Sequence, residues 1–323
     1  MGTPILKTFG YDDTRDATKP IEHWFDHSSD GLMLFAVFYT KACRWGHCLG
    51  CNLPSKSASR PIGYRAIMAQ VDALFADPEV QARKQEIRHL IVSNNGSVLD
   101  EETFSSTALI HLVGQTNIHF PNLAVLTLET RPDYVDVAEL EFLARALKEG
   151  ETPTTLELAV GFEAFDDRIR NKVYKKGLTL REFEECAERV ARHHFRLRCY
   201  FMLKPVPGMT DADAVADIHR GIEYLDRTAE RFGLPIAMHL NPTYVASGTA
   251  LEVAFRRGEY IPPHLADVVA AVKRAKGTKL AVTIGLHDEG LAVPGGSFLR
   301  PEEEPLRAAL ERFNGDQNYD ALP

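Results

Sequence analysis

Three of the chain's five cysteines fall within nine residues, in CRWGHCLGC at 43–51, spaced C-x4-C-x2-C directly after the apolar run LMLFAVFYT at 32–40. Thiolates are soft ligands that suit zinc or iron–sulfur clusters. A structural zinc ion takes four ligands in a tetrahedron. His47 lies inside the loop and can supply the fourth, so a Cys3His zinc staple is one reading of Cys43, Cys48 and Cys51. Iron–sulfur clusters are usually held by four cysteines, so three leave one iron without a protein ligand. An open coordination position is what a catalytic metal keeps for its substrate. Placement separates the two readings. Zinc staples brace small loops that lack a core, whereas this loop follows a strand of a large one.

The chain has 323 residues, enough for one large α/β domain or two smaller ones. A formal net charge of −8 argues against a broad phosphate-tracking surface, which needs clustered Lys and Arg. No basic stretch followed by an apolar segment opens the chain, and the run from Leu32 to Tyr39 is far short of the ~20 residues of a membrane helix. An odd number of cysteines, three of them crowded, does not suit a secreted disulfide framework. The expected setting is reduced and cytoplasmic, with no membrane partner.

The elements that must position the thiols alternate. Apolar runs at 32–40, 87–93, 123–129, 155–163, 196–203, 236–242 and 279–286 read as strands. Helical patterns lie between most of them, at 62–84, 101–115, 134–149, 166–172 with 179–194, 211–232 and 262–276. Strand followed by helix, about six times over, implies parallel strands with helices outside. The runs are nearly continuous, as expected when both faces of a strand are buried. In such sheets the chemistry collects on loops after the C-terminal strand ends. The polar motifs fall there: the cysteines, then SNNGSVLD (93–100), then ETRPD (129–133). The expected architecture is a partial (βα)6 TIM-like barrel over 31–245, with an irregular N-terminal extension at 1–30. A C-terminal α/β extension at 246–323 closes one side.

A three-cysteine loop after the first strand of a partial barrel resembles the radical S-adenosylmethionine (SAM) superfamily. The resemblance covers residues 32 to 245 and is nearest to the Elongator-type and archaeosine-synthase radical subunits. The commonest superfamily spacing is C-x3-C-x2-C. This chain has one more residue in the first gap, and Gly50 stands where an aromatic often precedes the last cysteine. The resemblance implies an oxygen-sensitive [4Fe–4S] cluster on Cys43, Cys48 and Cys51, whose open iron chelates SAM. Reductive cleavage of a C–S bond then gives a carbon radical, 5′-deoxyadenosyl or alternatively 3-amino-3-carboxypropyl.

By the same resemblance the loop after the second strand, with Ser93, Asn95, Gly96 and Ser97, grips the methionine part of SAM. An ordinary βα turn would use the same residues. GFEAFDDRIRNKVYKKG (161–177) resembles the segment that follows the fourth strand in these relatives. Glu129, Arg131 and Glu163 then face the barrel mouth, with Glu163 toward the ribose. Arg170 or Lys176 pairs with the SAM carboxylate, for which a guanidinium fork is suited. The structural alternatives are an ion pair between Glu129 and Arg131 and a solvated lysine face. Lys204 ends the next strand and can face the ligand or snorkel to solvent. His239, Asn241 and His287 are candidates for substrate contact. Cys186 and Cys199 read as buried apolar fillers, and Trp45 as a shield for the cluster.

The implied substrate is a modified tRNA nucleoside or a small metabolite or natural-product intermediate, with an external electron donor such as flavodoxin or ferredoxin. The competing reading from another class is a zinc-stapled binding protein without catalysis.

Overall fold

The computed structural model describes residues 7–323. Eight strands form one sheet in sequential order: β1 Glu22–Ser28, β2 Gly31–Val37, β3 Ile87–Ser93, β4 Val125–Thr130, β5 Thr155–Glu163, β6 Arg196–Leu203, β7 Ile236–Pro242 and β8 Ala281–Ile284. From β2 to β8 every neighbouring pair is parallel, and the sheet curls into a half-barrel. The helices are α1 Tyr64–Ala76, α2 Pro78–Arg83, α3 Ser106–His119, α4 Val137–Ala146, α5 Leu180–Arg192, α6 Asp211–Phe232, α7 Ala250–Arg256, α8 Leu265–Val272 and α9 Glu304–Asp316. Among the described residues no helix is long and apolar enough to cross a membrane.

Local chemistry explains the element ends. Thr179 and Glu182 cap α5 reciprocally, and the Thr210 hydroxyl accepts the Asp213 amide at the start of α6. Gly233, at φ +60°, ends α6 in the left-handed conformation that glycine adopts without strain.

Two features depart from the sequence reading. The N-terminal segment is not irregular throughout: β1 pairs antiparallel with β2, and Trp24 stacks on Phe35 at 4.3 Å. The strands are also not apolar on both faces. Leu34, Leu90, Leu126, Leu158, Leu197, Leu240 and Ile284 pack with the helices in one core. The alternate residues facing the concave side include His89, Thr127, Glu157, Arg198, Tyr200, His239 and Thr283. Successive strand residues point to opposite faces, so a hydrogen-bonded interior hides inside sequences that read as apolar runs.

Among the described residues the last strand has no β partner on its far side. Two amides from α9 supply one instead. Asn314 accepts the Ile284 amide and donates to the Ile284 carbonyl, both at 2.8 Å, and Gln317 does the same for Val282 at 3.1 and 2.8 Å. A sheet edge is thereby paired without a strand.

Candidate active site

The cysteine loop leaves β2 through the buried residues Phe38, Tyr39 and Thr40. Its base is tied by the Ala42 amide to Ala58 O and the Ala58 amide to Thr40 O, both 2.9 Å. Its tip is held from two sides. Arg44 donates to Asp100 at 2.7 Å and Glu102 at 2.6 Å, and its guanidinium lies 5.3 Å from the Tyr134 ring centre. Trp45 donates from Nε1 to Lys175 O at 2.7 Å, with the Arg131 guanidinium 4.6 Å from the indole. Further along, the Leu49 amide reaches Tyr174 O at 2.8 Å. The loop is therefore docked on the 174–177 segment that follows β5. Gly177, at φ +64°, lets the indole pass: a Cβ there would overlap Trp45 Cζ2 and Cη2.

The three thiols are all unpaired. Burial raises the Cys48 thiol, with Lys176 pulling it back, and pushes the Cys51 thiol up to about 12. Such thiols are inert toward the bulk, and a soft metal that binds them displaces the proton. His47 is exposed and packs edge-on against Trp45, ring centres 5.2 Å apart. Among the described residues no three His, Cys, Asp or Glu side chains converge closely enough for a single ion, so a tetrahedral Cys3His site is not preformed.

Beside the thiols lies the loop after β3. Asn95 adopts φ +57°, and a Cβ on Gly96 would stand 3.2 Å from the Cys43 Cα, so the backbone passes close over the first cysteine. Ser97 and Thr130 hydroxyls are 2.6 Å apart and join this loop to the end of β4. Among the described residues, Asn94 Oδ1 and Asn95 Nδ2 in this loop, and Asn52 Oδ1 and Ser57 Oγ just after the cysteines, are buried without a hydrogen-bond partner. Orphaned buried donors and acceptors cost free energy unless a ligand or water meets them. Three soft donors on one loop beside unsatisfied polar atoms fit a cluster with a polar cofactor at its open iron.

Glu163 sits at a bulge where β5 ends, with φ +73°, strained for a side chain of its kind. It accepts from Lys176 Nζ at 2.7 Å. Burial works against the Lys176 ammonium, but Glu163 and Cys48 outweigh it and the net shift is upward. A Cβ on Gly161 would overlap both charged ends, so the glycine makes room for the pair. Glu129, at the end of β4, accepts from the Tyr200 hydroxyl at 2.7 Å. Burial raises its carboxyl, against the hydrogen bonds from Ser93 and Tyr200.

Not every residue expected at the mouth joins it. Arg170 is fully buried, and four of its five N–H donors are engaged: Nε on Leu178 O at 2.7 Å, Nη1 on Ala164 O and Phe165 O at 3.0 and 2.7 Å, Nη2 on Asp167 at 3.0 Å. It staples the loop after β5 and, with no exposed surface, is not presented to a SAM carboxylate. Arg131 is buried as well, donating to Asp133, Lys176 O and Gly177 O. It acts on the site by holding Trp45. Lys204 turns to Asp211 at 2.6 Å, at the start of α6. His287 is exposed on the loop after β8, while His239 and Asn241 line the concave side.

The sequence reading passed over Tyr200, Arg198, Glu157, Thr127 and His89. The signal was present in the alternate polar letters of TLELAVGFE and RLRCYFML, where every second residue faces the interior.

No family model matches the chain. It is 28% identical over 246 residues to a protein named archaeosine synthase subunit beta from Methanosarcina acetivorans, covering 75% of this chain and 66% of that one. A protein of the same name from Thermococcus kodakarensis is 25% identical over 250 residues, covering 76% and 72%. The chain thus spans about two thirds of the length of the first of these. Among solved structures, Elp3 from the archaeon Methanocaldococcus infernus, with an N-terminal deletion, superposes with a TM-score of 0.52 at 17% identity. That match covers 77% of this chain and 58% of that one, and it shows the fold. The likeness read from the motifs holds: the chain is similar in sequence to proteins named archaeosine synthase subunit beta and in fold to Elp3.

Proposed function

We propose that Cys43, Cys48 and Cys51 hold a [4Fe–4S] cluster with SAM at its fourth iron, and that the enzyme acts on a modified tRNA nucleoside. The observation that carries this reading is the arrangement at the mouth: three unpaired thiols on a clamped loop, flanked by orphaned polar atoms and the strained Glu163–Lys176 pair. When bound and reduced by an external donor such as flavodoxin or ferredoxin, such a cluster would supply one electron to a C–S bond of SAM, giving methionine and a carbon radical, taken as 5′-deoxyadenosyl.

The chain's own residues do the rest. Trp45, Arg44 and Arg131 hold the cysteine loop in place before any ligand arrives, which lowers the ordering cost of binding. Asn95 Nδ2 is a free donor for the SAM carboxylate. Lys176 adds positive charge beside Cys48, and Glu163 is an acceptor for ribose hydroxyls. The Glu129–Tyr200 pair closes the far wall. SAM then takes the ends of β2 to β5, leaving the ends of β6 to β8 for substrate. The nucleoside assignment rests on the relatives named archaeosine synthase subunit beta. Five unpaired cysteines suit a reduced, cytoplasmic setting.

The test is product analysis of anaerobically purified, reduced protein incubated with SAM. The expected result is brown protein with about four irons that releases 5′-deoxyadenosine. Colourless protein with one zinc, or no SAM fragment at all, refutes the reading. Release of a 3-amino-3-carboxypropyl fragment would instead reassign the bond broken.

A further inference from the structure

A chain of side chains crosses the concave face from β1 to β7. The Ser28 hydroxyl meets His89 Nδ1 at 3.2 Å, and His89 Nε2 meets Thr127 Oγ1 at 2.7 Å. Thr127 donates to Glu157 Oε1 at 2.8 Å, which also accepts Arg198 Nε at 2.7 Å. Arg198 Nη1 reaches Thr283 Oγ1 at 3.3 Å, and that oxygen lies 2.8 Å from His239 Nδ1.

Donor counting sets the protons. Glu157 only accepts, so the Thr127 hydrogen points to it, and His89 must donate from Nε2. At the other end Thr283 accepts from Arg198. Its own hydrogen is then free for His239 Nδ1, and the hydrogen bond from the ring to Asn241, which works to raise the His239 pKa, puts the ring proton on Nε2, the nitrogen beside Asn241 Oδ1. A neutral ring is required, and burial first, then the Arg198 charge, pushes the His239 pKa down to about 3. The other groups facing the ring are Tyr200, edge-on with ring centres 5.2 Å apart, Asn241, and Glu157 through Arg198. His239 Nε2 and Asn241 Oδ1 both crowd the hydrogen of Gly285: a Cβ there would overlap Oδ1 and stand 3.0 Å from Nε2. With an Nε2–H beside it, the Asn241 oxygen is the acceptor, and its NH2 turns to the open side of the barrel.

We propose that Asn241, oriented by the Arg198–Thr283–His239 chain, reads the substrate by donating its amide N–H to a carbonyl oxygen on a planar base. Arg198, Thr283 and His239 are positioning residues. This assignment names the substrate contact within the function proposed above and rests on that reading for the site's location at the ends of β6 to β8.

The experiment uses the anaerobic holoenzyme without SAM. Ring 15N–1H correlation spectra are expected to show His239 as a single neutral Nε2–H tautomer from pH 5.5 to 8. Thr283→Val should lose that signature, and Thr283→Ser should keep it. Inosine and purine riboside, which lacks the 6-carbonyl, are then titrated by calorimetry. Inosine is expected to bind about tenfold tighter, the worth of one good hydrogen bond, and Asn241→Leu should erase the difference. An Nδ1–H or titrating His239, equal binding of the two nucleosides, or a preference that survives Asn241→Leu overturns the proposal. Neither readout involves SAM cleavage, so protein that passes both yet releases no SAM fragment keeps this assignment and sinks the catalytic reading.

Discussion

Replacing Gly177 with alanine tests whether the cysteine loop is held by Trp45 before any cluster binds. An alanine at φ +64° costs about 1 kcal/mol for the left-handed backbone. Its Cβ would overlap the indole, so Trp45 must leave. Leaving breaks the bond from Nε1 to Lys175 O, about 1 kcal/mol. It also removes the indole from the Arg131 guanidinium, about 1 kcal/mol more for a partly desolvated cation–π contact. The sum is about 3 kcal/mol. For a chain of 323 residues 1 kcal/mol moves Tm by about 1.5 °C, so calorimetry of the apoprotein should show a drop of roughly 4–5 °C. In a Trp24→Phe background the remaining indole reports on itself, and its emission should shift to the red as it enters water. Iron uptake on reconstitution should fall in parallel, because the loop that carries the thiols is no longer held. A Tm within a degree of the parent with unmoved emission would show that Trp45 does not clamp the loop.

Further expectations concern the site and its supports. Replacing Cys43, Cys48 or Cys51 with Ala should remove the iron, whereas Cys186→Ala and Cys199→Ala, both in the helix-side core, should leave iron content unchanged by elemental analysis. Glu163→Gln, which strips the partner from a Lys176 that is 10% exposed, should weaken SAM binding by equilibrium dialysis at least tenfold while iron stays at parent level. Equal loss of both would place Glu163 in the fold rather than at the cofactor. His89 has its pKa lowered to about 4 by burial first and Arg198 next. Its neutral form is the folded form, so the stability it contributes is whole above pH 6.5 and lost as pH falls toward 4. Urea titrations at pH 7.5 and 4.5 should show the parent losing about 2–3 kcal/mol more than His89→Gln. Identical losses would contradict the assignment of a buried neutral ring.

The strands at 87–93, 155–163, 196–203 and 236–242 were legible as short, nearly continuous apolar runs, and the structure keeps those limits. The cysteine loop was legible because thiols at short spacing have few other uses. β1 was not: EHWFDHS carries charges at both ends and buries only part of its surface, being paired on a single side. Arg170 was misplaced for a related reason. The letters RIRNKVYKK do not say which cation turns inward. A tight turn, closed by the Tyr174 amide on Ile169 O at 2.8 Å, rotates Arg170 under the loop and leaves Lys176 to meet Glu163. The interior network escaped notice because one charged letter in an apolar run looks like an interruption, although its period of two identifies the face.

The amides that finish the sheet carry a liability of their own. Asn314 is followed by Gly315, the pairing in which a side-chain amide is most readily hydrolysed through attack by the next backbone nitrogen. Loss of that nitrogen would leave a carboxylate facing the Ile284 carbonyl, two acceptors with no hydrogen between them. Half of the substitute ninth strand would then repel the eighth, and the bared rim would become a template on which another copy of the chain can align. Ageing at this one position would thus register as self-association.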